Sequence, residues 1–69
     1  MKLSIRNAIK GKIAAMTEGM AVATVKVDIG GGKSLTSVVT MDAVKDLGLK
    51  VGDDITVLVK ATSVMLAKD

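Results

Sequence analysis

Ala21-Val22-Ala23-Thr24-Val25-Lys26-Val27-Asp28-Ile29, followed by Gly30-Gly31-Gly32-Lys33, is the stretch that decides the fold class. Its odd positions are all apolar, while Thr24, Lys26 and Asp28 sit between them. An apolar residue at every second position is the period of a half-buried strand, not of a helix. The glycine run then allows a reversal, because glycine takes φ > 0 without a Cβ clash. It lacks the G-x-x-x-x-G-K-[ST] spacing of a phosphate loop and joins two strands, so it reads as a hairpin turn.

Working outward, the same period recurs. Upstream, Ile9, Gly11, Ile13 and Ala15 alternate with Lys10 and Lys12. This is an earlier strand, with Gly11 marking a bend or the close approach of another backbone. Thr17-Glu18-Gly19 interrupts it and reads as a turn. Downstream, Leu35, Ser37 and Val39 alternate with Thr36, Val38 and Thr40 in a third strand. At Thr40 the period changes. Thr40 suits an N-cap, Asp42 the first helical turn, and Gly48 the C′ position of a helix of about two turns. Val44 and Leu47 share one face of it. Leu49–Asp54 reads as a loop. Ile55, Val57 and Val59 then alternate with Thr56, Leu58 and Lys60 in a fourth strand. Ala61-Thr62-Ser63 breaks the pattern, and Val64-Met65-Leu66-Ala67 reads as a short fifth strand.

No linker, repeat or low-complexity stretch divides the 69 residues, so residues 1–69 read as a single domain. The expected class is all-β with one short helix, in the order β-β-β-α-β-β. That is the element order of a five-stranded OB-type barrel. A small SH3-like barrel fits the strands but usually lacks a true helix.

Composition narrows the function. The chain contains no Phe, Trp, Tyr, His, Cys or Pro. Its apolar residues, 49% of the total, are all aliphatic or Met. Small chains bury only about 60% of their unfolded surface, and aromatics normally anchor their cores. A lone monomer without them, or without disulfides, is expected to be marginal, which points to an oligomer. The five Met residues are scattered and read as core filler or interface.

Without His or Cys there is no thiol chemistry, no nucleophile–His pair and no usual zinc ligand set. The reading is therefore a protein that is not an enzyme, with no catalytic cofactor and no metal held by direct cation ligands. Without aromatics there is no stacking platform for single-stranded nucleic acid. The net charge of +3 is spread along the chain, where a polyanion binder usually shows a denser stripe. An OB-fold nucleic-acid-binding protein remains the alternative reading. Met1-Lys2-Leu3-Ser4 is followed at once by Arg6, Lys10 and Lys12, which leaves no apolar signal core. No run approaches the ~20 apolar residues of a membrane span. The expectation is a cytoplasmic protein without membrane or nucleic-acid partners.

Three positions could bind an anion. Arg6 is the only arginine, and its planar five-donor fork matches oxyanions. Lys60 ends the fourth strand. Thr40 offers a hydroxyl beside the N–H groups of a helix start. Each also has an ordinary structural reading, as a solvated surface group, a solvent-facing strand lysine and a plain N-cap. Asp53-Asp54 reads as a solvated turn.

Together these pieces match a known pattern. Ser4-Ile5-Arg6-Asn7-Ala8-Ile9-Lys10-Gly11-Lys12-Ile13 resembles the opening signature S-A-R-N-x-[LF]-x-G-x-[VI] of the molbindin (Mop) family. The resemblance continues through Val27–Gly32, Leu47–Gly52 and Lys60–Met65, in order and across nearly the whole chain. It implies a single OB-type domain assembled as a homohexamer, a trimer of dimers, that binds molybdate or tungstate at subunit interfaces for intracellular molybdenum storage or homeostasis. Carried over residue by residue, it implies that Ser4 and Arg6, the Lys60-Ala61 pair and Thr40 contact the oxyanion. Ala43 stands where the family often has a second hydroxyl. Ile5 replaces a small residue next to Arg6. The resemblance also implies a second class of site near a threefold axis, for which the Glu18-Gly19-Met20 turn is the candidate.

Overall fold

The computed structural model describes residues 4–69. Met1, Lys2 and Leu3, part of the stretch read above for a targeting segment, lie outside the described residues. Four strands, one α-helix and one 3-10 turn follow in the order β1 (Asn7–Glu18), β2 (Val22–Gly30), β3 (Lys33–Thr40), α1 (Met41–Leu47), β4 (Asp54–Val59) and the turn Ala61–Ser63. The strands form one antiparallel sheet in the order β3-β2-β1-β4.

The alternation of β2 is reproduced from Ala23 onward, whereas Ala21, expected on the same face, precedes the strand and is exposed. Ala23, Val25 and Val27 are buried and the even residues between them are exposed. Gly30, Gly31 and Gly32 all take positive φ, which only glycine adopts without strain, and they turn the chain into β3. Thr40 caps α1: its Oγ1 accepts the Ala43 N–H at 3.1 Å. Gly48 ends the helix at φ 62°, and the Leu49 N–H returns to the Val44 carbonyl at 3.0 Å. Val44 is buried, and Leu49 packs against the core from the loop that follows.

The core is small. Ile13, Val25 and Val27 form its centre, with Met16, Ile29, Val39, Leu49, Ile55 and Val57 packed around them. Gly11 marks a close approach, as its place in an alternating strand suggests. A Cβ there would stand 2.6 Å from the Asp28 carbonyl oxygen and 2.7 Å from Val27 Cγ1.

Three expectations need correction. Thr17 and Glu18 are not a turn; they complete β1, and the reversal comes at Gly19, whose N–H bonds the Val22 carbonyl at 2.9 Å. Ala15 does not face the core. The β1–β2 register slips between Ile13 and Ala15, a β-bulge that leaves Ala14 without a partner. Beyond it the inward position falls on Met16. The β1–β4 ladder also ends just before the bulge, where Ile13 exchanges backbone hydrogen bonds with Gly52 and Asp53 instead (2.8 and 2.9 Å).

The largest correction concerns the barrel. Val64–Ala67 is not a fifth strand, and the sheet has four. A strand exists only through its hydrogen-bonded partner, and among the described residues Val64–Ala67 has none. It has no regular secondary structure and is exposed throughout.

Candidate functional site

β1 and β4 place the first half of the site. Their antiparallel register pairs Asn7 with Val59. This brings the residues just before β1 beside those just after β4, although they lie more than fifty positions apart in sequence. A cleft of about 190 Å³ opens there, lined by Ser4, Ile5, Arg6, Lys60, Ala61 and Thr62. At roughly 30 Å³ per water molecule, it has room for a small ion.

The chemistry of this cleft is one-sided. Arg6 contributes a guanidinium and Lys60 an ammonium. No carboxylate lies within 4 Å of either among the described residues. In the 3-10 turn, the Ser63 and Val64 N–H groups bond the Lys60 and Ala61 carbonyls at 2.9 and 3.3 Å. The earlier N–H groups, of Ala61 and Thr62, have no backbone acceptor among the described residues. Ser4 and Thr62 add hydroxyls, which can donate to an anion. Two cations and several donors with no carboxylate suit an oxyanion. Ile5, half-buried, lines the cleft beside Arg6.

Four of the five residues expected in the main site, Ser4, Arg6, Lys60 and Ala61, are thus brought together. The fifth, Thr40, is not. It pairs with Val22 at the far end of the sheet, next to the rung where Ala23 meets Glu18, the last residue of β1. β1 is 12 residues long, a path of roughly 36 Å at about 3.3 Å per residue. Glu18, Gly19 and Met20, expected in a second site, lie at this same far end, and all three are exposed. The candidate residues therefore form two groups at opposite ends of β1. Thr62 was missed by sequence reasoning. Its only signal is a hydroxyl two residues beyond Lys60, which gains meaning once the 3-10 turn carries it into the cleft.

The comparisons with known proteins bear on this geometry. The TOBE domain family matches residues 3–66. The chain is 48% identical to the probable molybdenum-pterin-binding protein of Haemophilus influenzae, over 96% of each sequence. It is 41% identical to molybdenum-pterin-binding protein 3 of Clostridium pasteurianum, over 96% of this chain and 97% of that one. The chain belongs to the TOBE domain family, among the small molybdenum-pterin-binding (Mop) proteins. The crystallised molybdate-binding protein of Sporomusa ovata superposes on this Mop-family chain with a TM-score of 0.92 at 37% identity, covering 99% of this chain and all of that one. MopII of Clostridium pasteurianum gives 0.91 at 39% identity, covering 97% and all. These likenesses cover nearly the whole chain. No helix among the described residues is long and apolar enough to cross a membrane.

Proposed function

We propose that this chain binds molybdate or tungstate at interfaces between subunits of a homo-oligomer, for intracellular molybdenum storage or homeostasis in the cytoplasm. The observation that carries the reading is the cleft in which Ser4, Arg6, Lys60 and Ala61 converge with two cations and no carboxylate. The relatives named as molybdenum-pterin- and molybdate-binding proteins support it.

Molybdate is a tetrahedral dianion with four acceptor oxygens and no proton to donate near neutral pH. Arg6 and Lys60 offset its two charges. Ser4, Thr62 and the Ala61 and Thr62 N–H groups orient the oxygens. A shell of donors alone disfavours hydrogen phosphate, whose own proton would face donors. Sulfate is rejected by size, since Mo–O bonds are longer than S–O. Nothing in this scheme requires catalysis.

The interface part of the reading rests on Thr40. A site that includes both Thr40 and Arg6 takes them from two copies, because one copy holds them at opposite ends of β1. The preferred assembly is the homohexamer, a trimer of dimers, with Glu18, Gly19 and Met20 as the second site. Nucleic-acid binding is not favoured, because the chain offers no aromatic platform for bases.

Calorimetric titration with molybdate, tungstate and sulfate tests the proposal. The first two should bind and sulfate should bind far more weakly; equal heats for molybdate and sulfate would overturn it. Arg6→Lys keeps the charge and loses the fork. A hydrogen bond to a charged group contributes about 1.5–3 kcal/mol, so molybdate affinity should fall roughly 10- to 150-fold. Unchanged affinity would place Arg6 outside the site.

A further inference from the structure

We propose that Arg6 and Lys60 form a like-charge latch: without an anion the two cations hold the ends of β1 and β4 apart, and a doubly charged anion draws them together. The register of the β1–β4 ladder shows the arrangement. It runs from Lys12 opposite Asp54 to Asn7 opposite Val59 without a slip. The next step of that register sets Arg6 opposite Lys60. The ladder stops one rung short of it, since β1 begins at Asn7 and β4 ends at Val59.

The two ends of this ladder carry opposite chemistry. At one, Lys12 faces Asp54 with their charged groups 3.6 Å apart. At the other, a guanidinium and an ammonium line the same cleft. Neither has a carboxylate within 4 Å among the described residues. Between these ends, Lys10 faces the uncharged Thr56. Unlike charges directly opposite on adjacent strands stabilise the pairing, and like charges destabilise it. Continuing the ladder by one rung therefore meets repulsion at the Arg6 end alone. Both side chains are exposed, so the repulsion is of the kind that salt screens.

An anion reverses the sign of this interaction. Between Arg6 and Lys60 it turns one repulsion into two attractions. A dianion offsets both cations. A monoanion of the same shape offsets one and leaves a net positive charge across the rung. Closure of the rung thus follows the charge of the ligand, a criterion separate from the length of its metal–oxygen bonds. The same two residues then weaken the fold without the ion and tighten it with the ion, which couples binding to the order of both strand ends. This deepens the proposed function and rests on it only for the identity of the anion.

Arg6→Gln and Lys60→Gln each remove one cation, and neither residue belongs to the core, so both variants should fold. Thermal unfolding is followed in chloride buffer of low ionic strength, free of oxyanions, at matched protomer concentration. Tm of each variant should exceed that of the parent by about 1–8 °C. The gain should fade at 1 M salt, where the screening length is about 3 Å. Lys10→Gln lowers the net charge equally but relieves no like-charge rung, so its Tm should match the parent. No gain in Arg6→Gln or Lys60→Gln beyond that of Lys10→Gln overturns the proposal. Amide hydrogen exchange reads the closure, with tungstate and perrhenate as probes: tetrahedral oxyanions of nearly equal size carrying two charges and one. Tungstate should slow exchange across residues 5–8 and 58–61 at least about tenfold, and perrhenate at the same concentration should slow it less. Tungstate bound without slower exchange, or equal slowing by both ions, also overturns the latch. Gains in Tm with no tungstate binding would uphold the like-charge rung and defeat the proposed function; tungstate binding with no gain in Tm would do the reverse.

Discussion

Gly11→Ala sets two known effects of opposite sign against each other at one position. Gly11 lies in β1 with ordinary strand backbone, so alanine there needs no unusual φ. On that ground alone, the smaller freedom of the unfolded chain would stabilise the variant by about 0.4–1 kcal/mol. The added methyl, however, would lie 2.6 Å from the Asp28 carbonyl oxygen, 2.7 Å from Val27 Cγ1 and 3.3 Å from Ile29 Cγ2. The nearest of these is backbone, held by the β1–β2 ladder, so no rotamer change relieves it. Inserting a methyl into such a contact costs typically about 1–3 kcal/mol, which outweighs the gain. The expected net loss is about 1–2 kcal/mol. At roughly 4–8 °C per kcal/mol for a domain of this size, Tm should fall by about 4–16 °C. Intrinsic fluorescence offers no probe, since the chain has neither Trp nor Tyr. Urea unfolding followed by far-UV circular dichroism, at matched protomer concentration to hold any association constant, is the assay. A Gly11→Ala variant as stable as the parent, or more so, would refute the close approach and the reasoning built on it.

Two further outcomes follow from contacts described above. Thr40→Ala removes the hydroxyl that accepts the Ala43 N–H, so it should lower stability by about 1 kcal/mol in the same urea assay; on the interface reading it should also weaken molybdate binding in calorimetry, which a mere cap would not. Asp54→Asn removes the 3.6 Å pairing with Lys12, whose side chains are 63% and 89% exposed. Such exposed pairs contribute little, so the change in stability should stay within about 0.5 kcal/mol and shrink further at high salt.

The sequence announced the hairpin and the helix clearly because each rests on local chemistry. Gly30–Gly32 demand positive φ, and Thr40 and Gly48 bracket a helix with the residues its ends require. The bulge was hidden because Ala14 and Ala15 are equally small, so the alternation reads smoothly in either phase until Met16 is seen to face inward. The missing fifth strand was misread for another reason. Val64–Ala67 has the composition of a strand, but composition carries no information about whether a partner edge lies within the same chain. The cleft was legible only as scattered residues and a family resemblance. Its physical cause is the pairing of Asn7 with Val59, which no local pattern encodes. Thr40 shows the reverse case: its capping role was plain in the sequence, while its distance from Arg6 emerged only from the sheet order.

Ala14 gives the shape of this protein an unusually simple handle. Ile9, Gly11 and Ile13 face inward on odd numbers and Met16 on an even one, so Ala14 is the single residue the inside–outside rhythm does not need. Deleting it would leave every inward residue inward and every rung of the β1–β2 ladder matched. What would go is curvature, because a bulge bends its strand and increases its twist. Straightened, β1 would no longer curl its β4-bearing half toward its β2-bearing half, and the β3 and β4 edges of the sheet would move apart. Composition, packing residues and pairing would all be conserved, and only the arc of one strand would change.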